Sequence, residues 1–418
     1  MTFTDESKEL INEILPFLNK IKQKQNFIKK KMINNTIKYI YNELEQAEKL
    51  VNSLLENNKI SQKINIFSGS NKIKFPGIFT SRFVVPHIQK YIKKHIYGTN
   101  TLSVVFFNHK IDIIFYLIDK NEEDTYVLGN PFVSNILVWL YIASKNSKDH
   151  CAETLKIHSF MTPFKKKLPE NDYEILSPTH CNSAVTTSCI RNGEICIYRK
   201  EEFLKVLIHE SFHIFGLDFS GLPISRLKKN ILKIFPIQSD MELSESYTET
   251  WATLMNCFIC ARNLSDDNNF EEFLAYADFC IRIEQIFSVF QLIKILNFMS
   301  LNYKNLYEKD DISVSARRFL YRENTNVFAY YILKTVFLCN IDYFLNWCKT
   351  NNVYEPKKGN IFNFYKTPKN IDNFENMIKR LYKEKSFLEQ IKNIEQSFSN
   401  LNSLFMNKTT RMTICELN

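Results

Sequence analysis

Features that would assign this 418-residue chain to a membrane or secreted class are missing. The longest apolar run, residues 136–143, is too short to cross a bilayer, which predicts no membrane span. The N-terminal residues are acidic and lack the basic start and the small-residue cleavage site of a secretory signal. We therefore expect an intracellular, cytoplasmic protein whose length is ample for a buried core.

Glycine is scarce, at 8 residues, whereas the chain has 35 phenylalanines and 20 tyrosines. With so much asparagine, isoleucine and lysine, this bias is typical of an AT-rich genome and says little about function. No second pair accompanies the CxxC motif of Cys257 and Cys260, so we interpret that motif as a structural pair of thiols. Without a secretory signal, all 10 cysteines are expected to be reduced.

A nucleic-acid recognition motif is also absent, although the net charge is +9. The basic excess is spread out, with small clusters at residues 20–31 and 165–167. Solvated helix faces commonly look like this. We expect no specific nucleic-acid partner, and a basic nucleic-acid-binding protein ranks third among the hypotheses.

The pattern of apolar residues predicts an α+β fold. Helical spacing covers most of the first 60 residues and returns beyond residue 240, and the last dozen residues are expected to be loose. Between them, β-branched and aromatic stretches predict a small, mostly antiparallel sheet, with an Asn192-Gly193 turn in its last hairpin: residues 101–107, 111–119, 155–164, 182–189 and 194–198. The expected units are an N-terminal helical region (1–98), a core of sheet and helices (99–265) and a helical subdomain (266–418).

The stretch "KVLIHESFHIFGLDFS", residues 205–220, contains an HExxH motif. Its apolar residues surround the helix, which predicts a buried helix that Gly216 ends. His209 and His213 share one face and can both reach a single ion, whereas Glu210 lies about 100° further round and can take a proton from an attacking water. Zinc hydrolases use this spacing. Two core histidines oriented by a carboxylate are the alternative interpretation.

A third ligand is expected downstream, on a helix that includes the stretch "ELSESYTETWATLMN". Glu242, Glu245 and Glu249 fall on one face of it, at spacings of three and four. Three stacked carboxylates repel one another unless a cation or a histidine lies beside them. A solvated acidic face is the alternative, which the HExxH motif makes less attractive.

These motifs resemble those of the gluzincin metallopeptidases, the thermolysin- and neprilysin-like group. In that family a second helix carries Asn-Glu-x-x-x-Asp, and "SESYTE" fits with Ser for Asn and Glu for Asp. The resemblance implies a zincin-like core with one catalytic Zn²⁺, Glu245 as third ligand and Glu249 as the carboxylate that orients a zinc histidine. Glu242 is the fallback ligand.

The hairpin before the HExxH helix resembles the edge strand on which neprilysin-like enzymes bind a peptide. Asn182 and Ala184 take the substrate-binding positions, with an extra Ser183 between them. A peptide would then add to the sheet as a further strand. The stretches "NSAVTTSC", "HESFHIFGLDFS" and "ESYTETWA" together also resemble uncharacterised metalloproteases of large DNA viruses, which would imply a virion or a host cytoplasm.

Two assignments stay open. A metzincin-like site would need a ligand at Phe219, and Asp218, one residue earlier, is its alternative metal ligand. The donor for a tetrahedral oxyanion is not identified, and Tyr330, Tyr331 and His180 are the candidates.

The leading hypothesis is a zinc-dependent metallopeptidase that acts on a peptide or protein substrate, with Glu210 as general base. The second is a catalytically inactive zincin-like structural or interaction protein, such as a virion component. Substrate specificity and oligomeric state are not predicted from these patterns.

Overall fold

The computed structural model describes residues 1–18, 31–67, 74–147, 150–266, 269–353, 360–398 and 403–418. The basic cluster at residues 20–31 lies outside this part of the chain except for its last residue. The described residues form a mixed α/β structure with one six-stranded sheet and a helical remainder, so the expected α+β class is confirmed.

The sheet has the order β1-β2-β3-β4-β6-β5. Its strands are β1 (Ser61–Ile66), β2 (Gly98–Phe106), β3 (His109–Leu117), β4 (Thr154–Phe160), β5 (Ala184–Thr186) and β6 (Asn192–Ile197). Three of the five pairs are antiparallel, but β3–β4 and β4–β6 are parallel. The sheet is therefore mixed, because long connections that contain helices return the chain in the same direction.

Two details of the sheet differ from the expectation. Strand β1 is not among the predicted strands, because five of its six side chains are exposed and only Ile64 and Ile66 alternate with a polar residue. Asn192 and Gly193 are not a turn but the first residues of β6, where Gly193 pairs with Leu155. A Cβ at Gly193 would lie 2.7 Å from the side chain of Ile214, so this glycine lets the HExxH helix pack closely on the sheet.

The helices supply the rest of the fold. In chain order they are α1 (Asp5–Leu18), α2 (Lys31–Glu56), α3 (Pro86–His95), α4 (Pro131–Asn146), α5 (Pro178–Cys181), α6 (Phe203–Ile214), α7 (Ser225–Ile234), α8 (Leu243–Leu264), α9 (Phe270–Phe298), α10 (Asp311–Leu320), α11 (Lys334–Cys339), α12 (Ile341–Asn352), α13 (Pro368–Leu381), α14 (Lys385–Phe398) and α15 (Leu404–Lys408), with a π-helical turn at Phe328–Leu333 before α11.

One hydrophobic core joins the three predicted units. Leu10 of α1, Leu207 of α6 and Phe344 of α12 belong to the same cluster of buried residues. The boundary after residue 98 falls at the first residue of β2, and the boundary after residue 265 falls just beyond α8. The division into units stays a prediction.

The buried segment 409–415 contradicts the expectation of a loose end. All seven of its residues are at most 5% exposed. The backbone N–H groups of Met412 and Thr413 donate to the Glu202 carboxylate at 2.6 and 2.5 Å, just before α6. The segment therefore supports the start of the HExxH helix. Its burial was not predicted, because the sequence "NKTTRMT" is mostly polar.

Within the described ranges, one continuous segment, Glu123–Asn146, is long and apolar enough to cross a membrane, and half of its most apolar window is buried in the protein. The helices Phe328–Cys339 and Ile341–Asn352 pass the same test only as a pair that is bent by 92°. Core helices have the same properties, so no membrane span is clearly indicated.

Candidate metal centre

Helix α6 buries the two histidines, which are 7% and 8% exposed. Every residue of this helix except Leu204 is buried. Its chain direction changes at Gly216, which has φ of +68°, a backbone conformation that glycine adopts without strain. The predicted buried helix and its glycine stop are therefore confirmed. Because α6 packs against α8, the imidazoles face the carboxylates of that helix.

Three potential ligand atoms converge between α6 and α8. The Nε2 atoms of His209 and His213 lie 3.2 Å apart, and each lies close to Oε2 of Glu245, at 3.0 and 3.4 Å respectively. Ligands bound to Zn²⁺ at about 2.05 Å in a tetrahedron are separated by about 3.3 Å. The three atoms are therefore spaced like three corners of a zinc site, which leaves the fourth corner for a water or a substrate.

A carboxylate holds the far nitrogen of each imidazole. Glu249 lies 2.8 Å from Nδ1 of His209, and Asp218 lies 2.5 Å from Nδ1 of His213. Because carboxylates only accept, Nδ1 carries a proton on each ring, and both Nε2 atoms face the Glu245 carboxylate. Burial alone would lower the pKa of each imidazole, but the surrounding carboxylates raise it, so this point favours positive charge, which either an Nε2 proton or a metal ion supplies.

Further contacts fix these supporting carboxylates. Ser220 donates to Asp218 through its backbone N–H at 3.1 Å and its hydroxyl at 2.7 Å. The other oxygen of Glu249 forms an ion pair with Lys205. Burial alone would raise the pKa of the Glu249 carboxyl, but Lys205 and the hydrogen bond with His209 lower it to about 2. Glu249 is therefore ionised and able to hold His209.

The structure distinguishes between the three candidate third ligands. Among the described residues, Glu245 is the acidic residue whose carboxylate lies close to the ring nitrogens of both histidines. Glu242 precedes α8 and forms an ion pair with Lys228, and its carboxyl is about half exposed. Asp218 lies behind His213, on the side away from that point, so it orients a ligand and is not placed as one.

Glu210 lies beside the three ligands and is nearly buried, with 9% of its surface exposed. Burial raises the pKa of its carboxyl, although the two neighbouring histidines oppose the shift. With His209, Glu210 lines a small, partly open cavity. A carboxylate with a raised pKa at such a cavity is suited to accept and return a proton.

The predicted substrate-binding residues line the same cavity. Asn182 and Ala184 form part of its wall, as His209 and Glu210 do. The Asn182 side chain accepts a hydrogen bond from Thr325 at 2.8 Å, which holds it in place. Strand β5, which begins at Ala184, is the last strand of the sheet, and no other strand of the described chain pairs with its outer side. A peptide could add there.

The candidate oxyanion donors occupy different places. Tyr330 lines the cavity, with its ring centre 5.8 Å from that of His209. It lies in the π-helical turn Phe328–Leu333, a type of turn that often marks functional sites. Tyr331 instead donates to the Thr410 carbonyl at 2.6 Å, and His180 contacts Ser177, so neither is brought to the cavity.

A disulfide joins Cys151 to Cys189, so the expectation that all cysteines are reduced is wrong for this pair. The cysteines therefore no longer support the expectation of an intracellular compartment. The disulfide connects the segment before β4 to the β5–β6 loop, and the Cys189 N–H donates to the His213 carbonyl at 3.0 Å. It thus fixes the end of the HExxH helix to the candidate substrate edge.

We expect the double substitution Cys151→Ser and Cys189→Ser to lower the free energy of unfolding by about 2–4 kcal/mol, since the disulfide closes a loop between residues 38 apart in sequence. Urea unfolding with and without a reductant measures this. Reductant should destabilise the wild type and leave the double variant unchanged. Cys339→Ser, which replaces a partly exposed free thiol, is the control. Equal stability of wild type and double variant would contradict the role of the disulfide.

We expect Asp218→Asn to weaken zinc binding at the histidine pair about 10–100-fold, because the variant loses the charge that orients His213. Competition with a chelator measures the affinity. Ser220→Ala, which removes a single hydrogen bond to Asp218, should have a smaller effect. An Asp218→Asn variant with wild-type affinity would mean that Asp218 serves only the fold.

The sequence patterns missed three contributors to this site: Asp218 as partner of His213, Lys205 as partner of Glu249, and Met412 in the cavity wall. A signal existed for Asp218, which follows His213 by five residues just beyond the glycine stop. Nothing local marks Met412, which is far away in sequence.

Comparisons of the chain with protein-family models, curated proteins and solved structures found no match.

Proposed function

We propose that the protein is a zinc-dependent metallopeptidase. The observation that carries this proposal is the convergence of His209, His213 and Glu245 at zinc-like separations, with Glu210 free to act at the adjoining cavity. A purely structural pair of histidines does not require carboxylates behind both rings and a third in front of them.

In this proposal His209, His213 and Glu245 hold the ion, and Glu249 and Asp218 keep both imidazoles in the ligating tautomer. When bound, Zn²⁺ supplies Lewis-acid chemistry, which polarises a carbonyl and makes water more acidic. Glu210 accepts the proton of the attacking water at its carboxylate and then gives it to the leaving amine.

The substrate in this proposal is an extended peptide at the outer edge of β5. Asn182 and Ala184 are placed to orient its backbone next to Glu210. The Tyr330 hydroxyl is the better placed oxyanion donor. Burial and the nearby Glu245 carboxylate raise its pKa well above the usual value, so it stays protonated and able to donate.

Hydrolysis of a mixed peptide library tests the function. We expect cleavage by the zinc-loaded protein, loss of cleavage after chelation and recovery after zinc is returned. The disulfide should be kept intact, because it fixes the end of α6. Bound zinc with no cleavage of any library peptide would instead favour the non-catalytic zincin-like protein.

A further inference from the structure

Four cysteines meet at a second place in the core, which we call the thiol cluster: Cys257 and Cys260 of α8, Cys280 of α9 and Cys415 of the buried segment 409–415. Each is at most 2% exposed. Cys280 lies four residues before Glu284 on α9, so both face the same neighbours. The cluster shares no residue with the candidate metal centre, although both use helix α8.

Three residues of this region could ligate one ion. The ligand atoms of Cys257, Cys415 and Glu284 all lie within 4.8 Å of one another. The Cys415 thiol also lies 3.9 Å from the Cys280 carbonyl, which brings Cys280 next to it. Thiolates separated by such distances can reach a Zn²⁺ ion at about 2.3 Å after small side-chain movements.

Glu284 provides an independent observation. It is fully buried, and its Oε1 atom accepts the N–H groups of Ile414 and Cys415 at 2.8 and 3.0 Å. Its Oε2 atom is also buried, and no donor in the described part of the chain hydrogen-bonds to it. An unpartnered carboxylate oxygen in the core is costly, and packing of small apolar thiols does not explain it.

Charge balance is compatible with a divalent ion. Lys334 interacts electrostatically with Glu284 and donates to the Met412 carbonyl within the same segment. The charges of a divalent cation, two thiolates, the Glu284 carboxylate and the Lys334 ammonium cancel. Binding would release the two thiol protons to solvent, so the site needs no oxidant or other co-reactant.

We propose that Cys257, Cys415 and Glu284 form a structural site for a thiophilic divalent ion such as Zn²⁺, with the Cys280 carbonyl oxygen, 3.9 Å from the Cys415 thiol, as the fourth ligand. Thiolate ligands favour such metals, and complete burial leaves no position for a substrate. The ion would fasten segment 409–415 to α8 and α9. The same segment donates hydrogen bonds to Glu202, just before α6. The second ion would therefore also stabilise the start of the helix that carries His209 and His213.

The test uses His209→Ala with His213→Ala, which removes the first centre and leaves the thiol cluster. We expect two equivalents of zinc in the wild type and one in this variant. With Co²⁺ in place of zinc, the variant should show thiolate-to-cobalt charge-transfer absorption, which a His-His-Glu site cannot give. The same absorption in the wild type identifies the site without any substitution.

Matched substitutions, added to the His209→Ala, His213→Ala variant, locate the ion. Cys257→Ser with Cys415→Ser should abolish the remaining equivalent and the charge-transfer absorption, and Glu284→Gln, which replaces a charged ligand with a neutral amide, should weaken binding more than about 100-fold. Cys348→Ser, which changes another buried free cysteine outside the cluster, should retain both. Circular dichroism checks that each variant is folded.

A folded His209→Ala, His213→Ala variant without bound metal or charge-transfer absorption would overturn the proposal. So would a Cys257–Cys415 disulfide found by mass spectrometry of the native protein. Absence of peptidase activity would leave this inference untouched, because its measurements are metal content and absorption and do not depend on the first centre.

Discussion

Replacing Glu210 with glutamine should lower kcat for peptide hydrolysis about 1,000-fold while the zinc content stays at the wild-type level. Glutamine has nearly the same shape but cannot accept the proton of the attacking water, and general-base catalysis contributes about 10²–10⁴-fold. Glu210 lines the cavity and does not share the point at which His209, His213 and Glu245 meet, so metal binding should survive. Steady-state kinetics and metal analysis of the same sample measure both effects.

Glu242→Gln is the matched control for this substitution. Glu242 is a glutamate close in sequence to the ligand helix, but it pairs with Lys228 and lies away from the cavity. Its replacement should change neither kcat nor zinc content. A Glu210→Gln variant with more than about a tenth of wild-type kcat would show that another group moves the proton.

Glu245→Gln should remove one equivalent of zinc and nearly all activity. The substitution replaces a charged ligand with a neutral amide at a point that also faces the Nε2 atoms of both imidazoles. Because loss of a residue that merely orients a ligand weakens metal binding about 10–100-fold, loss of the ligand itself should exceed about 100-fold. Metal analysis after dialysis against a weak chelator measures the content.

The same control distinguishes between the two glutamates. If Glu242→Gln lost the zinc and Glu245→Gln kept it, the ligand assignment would be reversed and Glu245 would be a structural residue. If both variants kept the metal, the third ligand would lie elsewhere. In either case the thiol cluster would still retain its own equivalent, which the cobalt spectrum identifies separately.

The main parts of the candidate site could be predicted from local sequence because helices have a fixed period. His209 and His213 share a face at any four-residue spacing, and so do Glu245 and Glu249. Three predictions therefore depended only on these two helices being adjacent: the third ligand, the general base, and the residue that orients His209. Their adjacency followed from the family resemblance.

The rest depended on contacts between distant parts of the chain. The Cys151–Cys189 disulfide and the place of segment 409–415 are long-range pairings that no local period encodes. Gly193 was misread because Asn-Gly is a strong turn signal, and the close approach of Ile214 is visible only in three dimensions. Strand β1 is so exposed that its pairing with β2, not its composition, defines it.

The burial of segment 409–415 also sets an order of events during protein synthesis. About 200 residues separate the end of α6 from this segment, which at ~5–20 residues per second is roughly 10–40 s of translation. Until Met412 and Thr413 have left the ribosome, Glu202 lacks the N–H donors that support the start of α6. In a nascent chain the start of α6 therefore lacks these two hydrogen bonds until late in synthesis, so we expect the HExxH helix to reach its full stability only then.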